Sequence, residues 1–131
     1  MKDGLRARTR YVVFAVGTIA LGLAVHWRGS ALSPLMRDVL GDALWAAMVA
    51  WIIAAIAPDL RVSSRAAVAL AFCIVVELTQ LWHWPALDAL RRTTVGQLVL
   101  GSGFDARDFL AYAGGILATV LVERIIAAPG A

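Results

Sequence analysis

Residues 34–57 read PLMRDVLGDALWAAMVAWIIAAIA. After Asp42, fifteen residues pass without a charge, and the whole stretch is 24 residues long. As a helix it would rise about 36 Å at 1.5 Å per residue, enough to cross a hydrocarbon core of roughly 30 Å. Ser33 is a plausible N-cap, and Pro34 suits the first helical position because a helix leaves that N–H unpaired. Pro58-Asp59 then stops the helix.

The same pattern recurs on either side. Apolar segments cover residues 11–27, 65–82 and 108–128, with Ser63-Ser64 expected to cap the third. Trp27, Trp82 and Trp84 sit at segment ends, where amphipathic aromatics favour the membrane interface. Over the 131 residues, 61% are hydrophobic and 16% charged, and mean hydropathy is +0.79. A soluble domain carries about 25% charged residues, so lipid is the natural solvent here. The expected fold is all-α: a single domain, residues 1–131, forming an integral membrane bundle of four transmembrane helices. A long outer loop joins the third and fourth.

The pI near 9.8 does not indicate nucleic acid as a partner. Lys2, Arg6, Arg8 and Arg10 cluster just before an apolar run, where basic residues hold a helix end in the cytoplasm. The basic start and apolar stretch from Tyr11 to Val25 resemble a signal peptide, but His26-Trp27-Arg28 is a poor cleavage context, and an uncleaved first helix is expected. With four spans, the N-terminus, the second loop and the C-terminus share a side holding seven basic residues. The other side holds five, namely Arg28, Arg37, Arg91, Arg92 and Arg107. Both termini are therefore expected in the cytoplasm of a bacterium, with the chain in its inner membrane.

The third loop, residues 83–107, exceeds what a helix connection needs. It contains a short apolar piece, Val95 to Leu100, among Gly96, Gly101 and Gly103. Six residues cannot span as a helix. Two readings stand: a loop on the outer surface, or a re-entrant or interfacial segment covering a cavity.

Ionisable groups inside a span are costly and tend to mark function. Asp42 lies about two turns into the second helix. Glu77 lies in the third, about 16 Å above its inner start, and Gln80 shares its face. Asp105 and Asp108 fall at the start of the fourth helix, and Tyr112 lies one turn beyond Asp108. Carboxylates there also suit a helix N-terminus. The candidate ligand-binding set is thus Asp42, Glu77, Gln80, Arg91, Arg92, Asp105, Asp108 and Tyr112, the two arginines lying with Asp88 in the loop above the acids. Glu77 has two expected roles, a functional site or a lock satisfied by Arg91 or a neighbouring hydroxyl. A pure lock should accept Gln in its place.

Other patterns are silent. His26 and His83 lack metal-ligand spacing with Cys73 or the acids. The lone Cys73 is read as a packing residue, and Ser102 sits in a Gly-Ser-Gly turn. No metal or cofactor is expected. Small residues four apart, Thr18/Gly22, Ala111/Gly115 and Gly114/Ala118, are read as intramolecular helix contacts in preference to a dimer seam.

VELTQLWHWPALDALR (76–91), GSGFDARDFLAYAGG (101–115) and GDALWA (41–46) together resemble a family of small bacterial membrane proteins known only as a domain of unknown function. The pattern also resembles a compact VanZ-like protein. Glu77 and Gln80 match its E-x-x-Q helix end, Pro85 and Arg91 its loop, and Asp108 and Gly115 its last helix. Tyr112 stands where that family often has asparagine. The VanZ-like resemblance implies a link to glycopeptide resistance and the cell envelope.

Three functions follow. The first is a non-enzymatic envelope protein whose outer polar pocket binds a lipid head group or a partner membrane protein. The second is a small membrane enzyme acting on an envelope lipid or lipid-linked sugar, with Glu77 or Asp108 as general base and Arg91 or Arg92 holding a phosphate. The third is a transporter or proton-coupled subunit using Glu77. The first ranks highest, because no diagnostic catalytic motif is present and a lone small bundle leaves little room for a transport path. Membrane lipids are expected partners in every case. The charge asymmetry predicts that reporter fusions after Arg61 and after Ala131 signal cytoplasm while fusions within residues 86–94 signal the outside. A cytoplasmic signal from residues 86–94 would invert the arrangement.

Overall fold

The computed structural model describes residues 2–128, with side chains from residue 4. The Lys2 side chain, counted above in the basic cluster, lies outside the described residues. Six α-helices follow one another: α1 (Lys2–Arg28), α2 (Pro34–Ile56), α3 (Val62–Thr79), α4 (Pro85–Arg91), α5 (Thr94–Leu100) and α6 (Asp108–Ala127). A single 3-10 turn, Gly29–Ala31, joins α1 to α2. Four helices, α1, α2, α3 and α6, are long and apolar enough to cross a membrane. The chain is therefore a multi-pass membrane protein by length and composition.

Local signals explain most boundaries. The Ser33 hydroxyl accepts from the Met36 N–H at 3.2 Å, with Pro34 in the first turn of α2. Three expectations need correction. The first helix begins well before residue 11, because nothing between Lys2 and Arg10 breaks it. The N-cap of α3 is Arg61 and carries no side-chain cap, so Ser63 and Ser64 lie inside the first turn, and the helix ends at Thr79, not at residue 82. The third loop is largely helical. Pro85 starts α4, and Thr93 caps α5 by accepting from the Gly96 N–H at 2.9 Å.

The spans run alternately up and down, so α2 meets α1, α3 and α6. The core is built from small side chains: Ala46, Val49 and Ala50 on α2, Ala69 and Cys73 on α3, with Tyr112 and Ile116 on α6. A second cluster joins Tyr11 and Ala15 of α1 to Trp51 and Ala54 of α2. Large apolar side chains point outward instead, such as Val13, Phe72, Val75, Leu110, Leu117 and Ile125. In lipid that distribution is favourable. Chains as apolar as lipid tails gain little by mutual burial, whereas close backbone approach gains dispersion.

The end holding the chain termini has its own polar tie, which the sequence reading missed. Arg65 of α3 pairs with Glu123 of α6 at 2.6 Å, and the Tyr11 hydroxyl of α1 donates to the same carboxylate at 3.1 Å. The Tyr11 ring stacks on Trp51 of α2 at 6.0 Å and lies against the Arg65 guanidinium. One ion pair thus joins all four spans near that end.

Of the small-residue pairs, Ala111/Gly115 faces inward, while Gly114 and Ala118 are exposed. Gly115 meets the backbone of α2 so closely that a Cβ there would overlap the Ala43 carbonyl. Gly115→Ala should therefore lower the melting temperature in detergent, by about 1–3 kcal/mol of stability for an overpacked contact. Gly114→Ala, whose Cβ meets nothing within 4 Å, should not. Equal melting of the two variants would contradict this packing.

Candidate functional site

The buried carboxylate of Glu77 organises the end of the bundle opposite the termini. It is 0% exposed and receives three hydrogen bonds. The Tyr112 hydroxyl of α6 donates to Oε2 at 2.6 Å, and the Gln80 amide donates to the same oxygen at 3.1 Å. The Asp105 backbone N–H donates to Oε1 at 2.9 Å. A buried carboxylate is tolerable only when donors replace the lost water, and here α3, α6 and the loop before α6 each supply one.

Helix geometry and one glycine make this possible. Glu77 and Gln80 lie three apart on α3 and so share a face. Gly101, at φ +72°, ends α5 and lies against the Gln80 amide, where a Cβ would overlap Nε2. The chain can then turn back and offer the Asp105 N–H. Asp105 itself precedes α6, whose first residue is Asp108. Its carboxylate accepts from the Arg107 backbone N–H at 2.9 Å and pairs with the Arg107 side chain at 2.6 Å. The Arg107 guanidinium, aided by that N–H, holds the Asp105 carboxyl below the usual range.

Beside this hub lies a cavity of about 700 Å³ bounded by α1, α2, α5 and the start of α6. Asp42, Gln80, Asp105, Asp108 and Tyr112 line it, and Glu77 is hidden behind Gln80 and Tyr112. Of these, Asp42 comes from α2 and Asp108 from the first turn of α6. The fold therefore brings together six of the eight candidate residues. It also adds wall residues that the sequence reading did not name as site residues, including Asp38, Arg37, Arg107 and His26. Their charge was visible in the sequence, but not their direction.

Arg91 and Arg92 do not join the group. Arg91 is 8% exposed, and its guanidinium is used at the C-terminus of α3. It donates to the Thr79 carbonyl at 2.7 Å and the Trp82 carbonyl at 3.0 Å, and pairs with Asp88 at 3.2 Å. The two carbonyls lie at and just past the end of that helix, where a cation suits the helix dipole. Arg92 is exposed, and its Nε lies 3.4 Å from the Asp88 carbonyl. Neither arginine lines the cavity. The partner of Glu77 is thus a hydroxyl and not Arg91. Residues 95–100, open to reading as a surface loop or as a re-entrant or interfacial segment covering a cavity, fall within α5, which supplies one wall of the cavity. Among the described residues, no group of three or more His, Cys, Asp or Glu side chains could hold a metal ion.

The geometry also changes what a Gln replacement tests. All three partners of Glu77 donate, so a carboxylate matches them and an amide NH₂ opposes one. Glu77→Gln should lower thermal stability even if the residue is only a lock, and Tyr112→Phe should do so by about 1–3 kcal/mol, the cost of an unsatisfied buried acceptor. A Glu77→Gln protein that melts with the unchanged protein would contradict the three-donor arrangement.

No solved structure matches this chain. A family profile described as "Protein of unknown function (DUF2809)" matches residues 31–116. The matched region includes α2, α3, α4 and α5 and the first part of α6, hence Asp42, the whole Glu77 hub and the Ala43–Gly115 contact. The chain belongs to this family, whose function is unknown.

Proposed function

We propose that this protein is a non-enzymatic binding protein of the bacterial inner membrane, with both termini in the cytoplasm and the cavity on the outer side. Its ligand is an amphipathic envelope molecule. The head lies among Asp38, Asp42 and Asp108, and the chain lies along the apolar side chains that α1 and α2 give to the cavity.

The cavity itself carries this reading. At about 700 Å³ it falls within the roughly 300–1,000 Å³ of small-molecule sites. Its wall combines carboxylates with apolar side chains such as Ile19, Leu23, Leu44 and Met48. That combination suits a molecule with one polar end. The enzyme alternative needs an anion clamp near its base, and Arg91 and Arg92, the residues expected to supply it, lie outside the cavity wall.

Gly41 lines the cavity, and a Cβ there meets nothing within 4 Å. Gly41→Phe should place its ring in the cavity while the helix gains propensity. Native mass spectrometry of the unchanged protein, purified in mild detergent, should reveal a co-purifying lipid-class adduct. In Gly41→Phe the adduct should fall at least several-fold with melting unchanged. An equal adduct in both proteins would refute the cavity as its binding place.

A further inference from the structure

Three carboxylates of the cavity wall lack a positive partner. Arg107 is committed to Asp105 through two nitrogens, and Arg37 donates to the Gly29 carbonyl at 3.2 Å. Among the described residues no ion pair reaches Asp38, Asp42 or Asp108. Asp42 of α2 and Asp108 of α6 nevertheless line the same cavity. Carboxylates that share one site repel, and either a shared proton or a positive charge relieves them. Glu77, behind the wall, adds to the same negative field and also has no cationic partner among the described residues.

A second observation is independent of the acids. Gln80 lines the cavity and is 7% exposed, and its Oε1 has no hydrogen-bond partner. The orientation of the amide is fixed, since Nε2 must face the Glu77 carboxylate. A buried acceptor without a donor is costly, so this oxygen calls for an N–H or O–H from whatever occupies the cavity.

Taking the cavity as the binding site proposed above, we infer that its ligand is a cationic amphiphile: an apolar chain ending in an ammonium group. The ammonium lies by Asp42 and Asp108, and its N–H groups donate to these carboxylates and to the Gln80 Oε1. The sign is opposite to that of the anionic head group expected from Arg91 and Arg92. A metal ion fits less well. No cluster of three ligating side chains exists among the described residues, and much of the cavity wall is apolar.

Three probes with one chain and different heads test this in uncharged detergent: dodecylammonium, dodecanol and dodecyl phosphate. Binding is read by native mass spectrometry and by the shift in melting temperature. Dodecylammonium should bind at least tenfold more tightly than either of the others. Asp42→Asn combined with Asp108→Asn should remove that preference and leave dodecanol binding in place. If dodecanol binds as well as dodecylammonium, or dodecyl phosphate binds better, the cationic head is wrong and the amphiphile site stands. If none of the three binds, the cavity reading itself fails and this inference with it. Should the double variant not fold, the order of the three probes on the unchanged protein decides alone.

Discussion

A carboxylate placed in the middle of an apolar bundle must be surrounded by donors, and much of the arrangement at one end of this protein follows from that requirement at Glu77. Water is absent at that depth, so its two oxygens are served by the Tyr112 hydroxyl, the Gln80 amide and the Asp105 backbone N–H. Each donor comes from a different stretch of chain. The carboxylate therefore fixes where α6 starts, how the segment after α5 returns and which way the end of α3 points. The opposite end repeats the device with an ion pair, since Glu123 gathers Arg65 and Tyr11.

These polar contacts depend on how near the helices come to one another. Ala46 and Ala50 face Ala69 and Cys73, and Gly115 lies against the backbone at Ala43. With no hydrophobic gain available between helices in lipid, close approach through small side chains supplies the attraction. It also sets Asp42 of α2 and Asp108 of α6 on one cavity wall. Packing and polar chemistry are thus linked: a bulkier residue at 115 would push apart the two helices that carry these carboxylates.

The cavity arises because the connection between α3 and α6 is tied at two points. Arg91 anchors α4 to the Thr79 and Trp82 carbonyls at and just past the end of α3, and the Asp105 N–H anchors the far end to Glu77. Between these ties α5 is held beside the bundle, and the space between it, α1 and α2 is left unfilled by side chains. Arginine here is a structural clamp, and the cavity keeps an acidic wall.

The sequence by itself determined the class of the protein. Four long apolar runs have few folds open to them, because a backbone in lipid must satisfy its own hydrogen bonds and a helix does so locally. The sequence also pointed to Glu77, since a lone acid in an apolar run is conspicuous, and to Asp42, Asp108 and Tyr112 by spacing. It did not reveal which donors reach Glu77. Two of them, an Asp105 backbone N–H and a hydroxyl 35 residues away, are set by the return of the chain and leave no periodic trace. Arg91 had the right charge and the right neighbourhood for an anion clamp, and only the tertiary structure decided that it serves the α3 carbonyls. Helices follow from local composition, but the direction in which a charged side chain spends its hydrogen bonds is a property of what the other helices bring beside it.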